Sequence, residues 1–325
     1  MDEILQAIIA HTDIDGVASA ALYVYLASVS EYRLFFTEPF RLAKALDKVS
    51  SAYYEKVVIL DLGINPPTYS DVLRYLEMLK EGNIEVAWFD HHVWNEEWLR
   101  DVNSLGVKLY VDTSTCTTGV VAKHVTPLRD NIDYSFVDNL VKGVCAGDLW
   151  KYDHWLGGYY VRLVRRKDKD SWRKKVVEVI SSGNLWVRDF DAKVEEHIDA
   201  ELKLLSSDLE LAEKSVKNTK IVAAMSSELV ENSFLAAYIM GRYGADVVIL
   251  VSRDGKLSFR SRKVNVRDLA LALGGGGHLY ASGAKIKIPW FVRAFSKIKP
   301  RLLLNYVLLL ISKKLSYTSH QEPCL

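Results

Sequence analysis

Long hydrophobic runs are missing from this chain of 325 residues. The apolar stretch near its end, Leu302 to Ile311, is interrupted by Asn305 and falls far short of the roughly 20 residues that cross a bilayer. It reads as a terminal core helix, and no membrane partner is expected. A leader peptide is not expected either, because Met1-Asp2-Glu3 opens acidic and strand-like sequence follows at once. Charge of one sign is also missing. The 42 Lys and Arg stand against 41 Asp and Glu, a net charge of +1, so any attraction to nucleic acid must come from a local patch. Cysteine is scarce: Cys116, Cys145 and Cys324 are an odd number without metal-ligand spacing, which fits a reducing, cytoplasmic setting. Internal repeats are absent, and the one low-complexity segment is a run of glycines.

What is present is ordinary material for globular domains, 49% hydrophobic and 26% charged. At roughly 150 residues per domain, the length predicts two. The organising stretch is Trp88-Phe89-Asp90-His91-His92. There an apolar strand, Ile84 to Phe89, ends in three groups that bind metals or move protons. Three further stretches read as apolar strands ending in acids: Ile8 to Gly16 with His11, Asp13 and Asp15; Val57 to Asp61; and Val144 to Asp148. Helical patterns alternate with these strands, at Val17–Ala27, Arg41–Val49 and Tyr69–Glu81, so the first half predicts parallel βαβ units. In an open parallel sheet, ligand sites form beyond the carboxyl ends of the strands, which would gather these acids into one crevice.

The second half reads differently. Residues 162–175 hold eight Lys or Arg and only two Asp, with Trp155, Tyr159, Tyr160 and Trp172 beside or among them. Such a run is either a solvated helix face or a strip that tracks a phosphate backbone while aromatics stack on bases. Residues 191–218 are charged and helix-favouring and predict a connector helix. Beyond it, strands at Ile221–Met225, Val247–Val251, Leu257–Arg262 and Ala284–Ile288 predict a smaller α/β domain. Arg253-Asp254-Gly255-Lys256 makes a tight turn in that domain. The division is therefore 1–190, 191–218 and 219–325. Gly274, Gly275, Gly276 and Gly277 precede His278, and Arg260 and Ser261 lie on the preceding strand. Glycines leave backbone N–H groups open to an anion, so these residues are candidate substrate contacts.

Clustered carboxylates repel one another and lose solvation, so His11, Asp13, Asp15, Asp61, Asp90, His91 and Asp148 together need cations. Oxygen and imidazole ligands without thiolate suit Mn²⁺ or Mg²⁺ better than a structural zinc.

Taken together, these motifs resemble the DHH phosphoesterase superfamily. His11-Thr12-Asp13-Ile14-Asp15-Gly16, Asp61, Asp90-His91-His92 and Asp148 resemble its first four motifs in order. The glycine run with His278, followed by Ala281-Ser282-Gly283, resembles the signature of its C-terminal DHHA1 domain. The short two-domain length is similar to archaeal RecJ-like exonucleases and to oligoribonucleases that also dephosphorylate adenosine 3',5'-bisphosphate. The resemblance implies two Mn²⁺ ions, one held by His11, Asp13 and Asp61, the other by Asp15, Asp61, His91 and Asp148. It implies that Asp90 orients a histidine, and that His92 faces the scissile phosphate. Arg260, Ser261, the glycines and His278 would hold the terminal nucleotide, with Arg260 and His278 also assisting catalysis. The implied function is a single-strand-specific exonuclease acting 3'→5' on DNA or RNA. The alternative is a phosphatase of very short oligonucleotides, adenosine 3',5'-bisphosphate or cyclic-dinucleotide products. A non-catalytic replication scaffold of the same superfamily is argued against, because every motif acid is present. A replication or repair partner and a homodimer are compatible with the sequence.

Overall fold

The computed structural model of the chain describes residues 5–128, 130–277 and 279–318, with side chains as far as 313 in the last helix. It divides into two compact units, Met1–Glu195 and Glu196–Leu325.

The first unit is mixed α/β. Its strands are β1 (Gln6–His11), β2 (Tyr32–Thr37), β3 (Lys56–Leu60), β4 (Glu85–Asp90) and β5 (Lys108–Val111). Between them run helices α1 (Ile14–Ala27), α2 (Leu42–Ser50), α3 (Tyr69–Glu81) and α4 (Glu96–Ser104). The five strands form one parallel sheet in the order β2-β1-β3-β4-β5. Their near-continuous apolar sequences, such as Val57 to Leu60, are buried on both faces as a helix-covered parallel sheet requires. The chain passes from β1 outward to β2 and then returns to β3 on the other side of β1. The ends of β1 and β3 therefore flank a topological switch point, the place where open α/β sheets bind ligands.

After the sheet come α5 (Thr117–His124), α6 (Tyr134–Asp148), α7 (Trp155–Leu163), α8 (Asp170–Ser181) and α9 (Arg188–Leu205). One expectation is corrected here. Asp148 stands at the end of a helix, not of a strand. Asp133 caps α6 by accepting from Ser135 N–H and Phe136 N–H. Its buried positions Phe136, Leu140, Gly143, Val144 and Gly147 recur at helical spacing, which a window of only five residues cannot reveal. A second difference concerns cysteine. Cys116, just before α5, and Cys145 of α6 are joined by a disulfide across 29 residues, their Cα atoms 5.1 Å apart. The expectation of three reduced thiols fails for this pair because the packing of two helices, invisible in the spacing, brings them together. Cys324 lies outside the described residues.

The second unit is built on β6 (Leu211–Val216), β7 (Thr219–Met225), β8 (Val247–Val251), β9 (Lys256–Ser261), β10 (Gly276–Gly277) and β11 (Ala281–Lys285). They form a six-stranded sheet in the order β10-β11-β9-β8-β7-β6, in which only β7 and β8 run parallel. Its helices are α10 (Asn232–Tyr243), α11 (Arg267–Leu271), α12 (Trp290–Phe295) and α13 (Arg301–Thr318). Leu303, Leu304, Val307, Leu308 and Ile311 of α13 are buried against β6–β9, as expected of a core helix. The connector helix expected over 191–218 is shorter. α9 ends at Leu205, and residues 211–216 pair with β7 as a hairpin around Lys217, whose φ is 53°. Helix-favouring residues there lose to the pairing of Leu211 opposite Ala224 and Ala212 opposite Ala223. The last strand likewise lies at 281–285 instead of 284–288. Among the described residues, no helix is long and apolar enough to cross a membrane.

Candidate metal centre

Each acid of the cluster is placed by an element end. β1 delivers His11. Asp13 caps α1, accepting from Gly16 N–H, and Asp15 sits in the first turn of the same helix. Gly16 has no side chain because α1 starts on top of β1: a Cβ there would lie 2.5 Å from His11 O and 2.7 Å from His11 N. β3 delivers Asp61 with a φ of 59°, a left-handed conformation that costs a non-glycine residue about 1–3 kcal/mol. β4 ends in Asp90, and His91 and His92 follow. α6 contributes Asp148 from its last residue.

These side chains converge into groups fit to hold cations: His11, Asp13 and Asp61; Asp15, His91 and Asp148; and Asp61, His91 and His92. His11 Nδ1 lies 2.8 Å from Asp13 Oδ2 and 3.1 Å from Asp61 Oδ2. His91 Nε2 lies 3.4 Å from Asp61 Oδ1, 3.6 Å from Asp148 Oδ2 and 3.9 Å from Asp15 Oδ2. Asp61 therefore turns one oxygen to each of two groups. Asp90 is not in either. It is fully buried, accepts from Trp94 Nε1–H at 2.7 Å, and lies 2.8 Å from His92 Nδ1.

The electrostatics are those of an anionic hollow. Burial and the charge of Asp61 raise Asp15 to about 7. Burial and Asp15 likewise raise Asp148 well above the carboxylate range. Asp61 is pushed up by burial, but hydrogen bonds from His11 and His91 outweigh that and hold it well below its ordinary value. Burial pulls the imidazoles down, yet Asp61 lifts His91 to about 11 and Asp90 lifts His92 to about 8. In His11, Asp13 outweighs burial and the pKa rises well above normal. His11 Nε2 and Asp148 Oδ2 are buried and have only long contacts, 3.5 Å to Glu38 and 3.6 Å to His91. Such ligand atoms facing clustered carboxylates are what divalent cations would complete, so the donor set fits hard or borderline ions such as Mn²⁺ or Mg²⁺.

Two profiles match the chain: "DHH family, N-terminal domain" over residues 6–147 and "DHHA1 domain" over residues 216–299. The chain belongs to the DHH superfamily, whose members with this centre are metal-dependent phosphoesterases. No curated protein matches it. Solved structures with the same fold include the pGpG-specific phosphodiesterase PggH from Vibrio cholerae, at TM-score 0.52 and 14% identity over 92% of this chain and 98% of that one. An exopolyphosphatase-related protein from Bacteroides fragilis matches at TM-score 0.52 and 16% identity, covering 95% and 94%. RecJ from Thermus thermophilus, solved with Mn²⁺, matches at 0.53 and 13% identity over 99% of this chain but only 53% of its own. At these identities the likeness speaks to the fold.

The DHH centre recruits residues that sequence reasoning passed over. Thr117 N–H and Thr118 N–H donate to Asp15 at 2.7 and 2.9 Å, and Thr118 Oγ donates to Asp15 Oδ1 at 2.7 Å. Thr117 Oγ donates to Asp61 Oδ1 at 3.0 Å. Both threonines lie in the first turn of α5, and the N-terminal N–H groups of a helix are an anion site by nature. Glu38 follows β2 directly, repeating the pattern of a strand ending in an acid. It accepts from Thr12 Oγ, lies 3.5 Å from His11 Nε2, and is held down to about 2 against the upward pull of burial.

The basic stretch 162–175 is not one open strip. Arg173 is 2% exposed and donates to Thr12 O, Arg165 O and Arg166 O, bracing the loop after β1. Arg165 is buried, and Lys175 pairs with Asp189. Arg166 reaches the centre, 3.9 Å from both Asp13 and Glu38.

In the DHHA1 domain, Arg260 is partly buried, donating through Nε to Ser233 Oγ and through NH1 to Phe259 O. Ser261 is 1% exposed, and its hydroxyl donates to Asp246 O and accepts from Val264 N–H, so it braces a turn instead of facing substrate. Gly274 N–H and Gly275 N–H donate to Leu271 O and Ala270 O. Gly276 and Gly277 pair with Gly283 and Ser282. A Cβ on Gly275 would come within 2.1 Å of Gly283 O. The run is thus needed first for close strand packing, and only part of it remains for a ligand. His278 lies outside the described residues.

Proposed function

We propose that this DHH protein is a manganese-dependent phosphodiesterase that removes nucleotides from the ends of single-stranded DNA or RNA with 3'→5' polarity. The observation that supports it most is Asp61, whose two oxygens face two separate His/Asp groups. When bound, two divalent cations would supply the Lewis acidity and charge neutralisation for displacement at phosphorus. His11, Asp13 and Asp61 would hold one and Asp15, Asp61, His91 and Asp148 the other. Thr117 and Thr118 fix the Asp15 carboxylate, and Glu38 and Arg166 balance charge beside Asp13. Asp90 holds His92 through Nδ1 and lifts its pKa to about 8, so the imidazole carries a proton at neutral pH. Through Nε2 it would donate to the scissile phosphate, stabilising charge that grows in the transition state. Arg260, the remaining glycine backbone and His278 are the proposed contacts to the terminal nucleotide.

A second reading, hydrolysis of very short oligonucleotides or adenosine 3',5'-bisphosphate, is favoured by one observation. Burial of Arg165 and Arg173 removes them from any strip that could track a long strand. The two are separated by a denaturing-gel time course in Mn²⁺ on single strands about 20 nucleotides long, beyond the roughly 4–16 that one binding fold covers. DNA and RNA labelled at either end would be run beside dinucleotides and the bisphosphate. A ladder shortening from one end supports the exonuclease and gives its polarity. Turnover of the shortest species alone refutes it in favour of the second reading, and no turnover of any substrate refutes both.

A further inference from the structure

If residues 162–175 do not track a strand, another surface must, and the second unit carries one. A cavity of about 500 Å³ is lined by Arg253, Lys285, Lys287 and Arg293, with Asp254 the one acid among them. The cations come from three segments: the β8–β9 turn, the end of β11 with its continuation, and α12. All four are exposed, and their floor is Ile286, 8% exposed, and the half-buried Ile288. Gly255 lets the turn close on this floor: its φ is 90°, and a Cβ would lie 2.3 Å from Ile286 O. Asp254 pairs at long range with Lys285 and Lys256, at 3.8 and 3.9 Å, and so offsets one charge while the lining stays net positive.

The surrounding sequence is one-signed although the whole chain is balanced. Residues 269–321 hold eight Lys or Arg and no Asp or Glu. Trp290, 80% exposed, and Phe291 open the same helix that supplies Arg293, their rings edge to face at 6.1 Å. Converging cations beside exposed aromatic faces are the chemistry that holds a single strand, phosphates on the charges and bases on the rings.

Resting on the phosphodiesterase reading above, we infer that this cavity is a second strand-binding site, which holds internal phosphates of a single-stranded nucleic acid while its end is processed. Register places it apart from Arg260. Arg260 pairs with Ala281, and Lys256 pairs with Lys285, four residues further along β11. At about 3.3 Å per residue that is about 13 Å, too far for one phosphate to meet both. An anionic lipid surface shares the charge but not the shape, because it calls for cations on a flat or convex face with the apolar side chains below them.

The test is fluorescence anisotropy of labelled single strands, about 20 and about 3 nucleotides long, across a salt series with metal chelated. The full-length chain would be compared with the triple variant Lys285→Glu, Lys287→Glu, Arg293→Glu, and with Asp254→Asn. The triple variant is expected to bind the long strand at least about tenfold more weakly. The slope of log affinity against log salt should shrink by about 2, the share of three phosphate contacts. Binding and Mn²⁺-dependent cleavage of the short strand should be unchanged, which also shows that the variant is folded. Asp254→Asn keeps the turn and removes a charge, so the long strand should bind more tightly. Unchanged long-strand affinity and slope in the triple variant would overturn the inference. So would a loss confined to vesicles of anionic phospholipid, or no tightening in Asp254→Asn. Because binding is read without metal, it decides the cavity even if the wild type cleaves neither strand, a result that would overturn the catalytic reading instead.

Discussion

Thr118→Val is the sharpest perturbation of the metal centre, because it changes one atom of a residue that is no ligand. Thr118 is fully buried, and its Oγ donates to Asp15 Oδ1 at 2.7 Å with Ser19 Oγ at 3.2 Å behind it. Valine keeps the volume and β-branching, and the two backbone N–H bonds from Thr117 and Thr118 to Asp15 remain. What is lost is one charge-assisted hydrogen bond to a buried carboxylate, worth about 1.5–3 kcal/mol. At 1.36 kcal/mol per decade, this is about ten- to a hundredfold in Mn²⁺ affinity. The sign follows from Asp15, which burial and Asp61 raise to about 7 while Thr118 opposes the rise. Removing that opposition raises it further, so more of the carboxyl is protonated at neutral pH and the cation must displace that proton. The deficit should therefore be larger at pH about 6 than at pH about 8.5. Calorimetric Mn²⁺ titration, with activity against Mn²⁺ concentration, reads it: the midpoint rises about ten- to a hundredfold and activity recovers at saturating metal. An unchanged midpoint in a variant with wild-type melting behaviour would refute the argument.

Four further outcomes are expected. Asp61→Asn should lower activity to background and abolish Mn²⁺ binding to both groups, seen as lost stoichiometry in calorimetry; retention of one full-affinity site would show that Asp61 is not shared. Without metal, Asp61 holds protons on His91 and, with Asp13, on His11, so Mn²⁺ binding must expel them. The dissociation constant should fall about tenfold per pH unit for each proton released between about pH 6 and 8, and a pH-independent value would be inconsistent with those raised imidazoles. Asp90→Asn removes the group that lifts His92 to about 8 against burial, so the His92 resonance in an NMR titration should shift its midpoint downward, and the alkaline limb of the rate profile should move with it. Gly16→Ala forces a methyl to 2.5 Å from His11 O, and backbone cannot swing aside as a side chain could. A loss of about 1–3 kcal/mol in denaturant stability, with weakened Mn²⁺ binding, is expected; wild-type values on both counts would contradict the close packing of α1 on β1.

The candidate metal-binding cluster was legible because metal chemistry is local in type and order: an apolar run that ends in His or Asp is unusual, and strand ends in a parallel sheet meet by topology. His11, Asp13, Asp15, Asp61, Asp90, His91 and His92 could be picked out on that ground as a set, though not singly, and the hairpin at Asp254-Gly255 by its turn residues. Helical spacing is legible too, though only in a longer window, and a window of five residues puts Asp148 on a strand. Other features belonged to tertiary structure alone. The Cys116–Cys145 bridge depends on two helices packing across 29 residues of sequence. The hold of Thr117 and Thr118 on Asp15 spans about a hundred positions, and no periodicity encodes a contact between α1 and α5. Arg173 sits in a run of cations that reads as solvated, yet its guanidinium is buried where four carbonyls converge on it. The glycine run promised open N–H groups, and strand pairing consumed much of them. The sequence by itself determined which groups could bind metal and which strands would carry them. Which polar groups those ligands lean on, and which charges are left facing outward, was decided when burial made every unpaired donor and acceptor costly and the fold had to supply partners from distant segments.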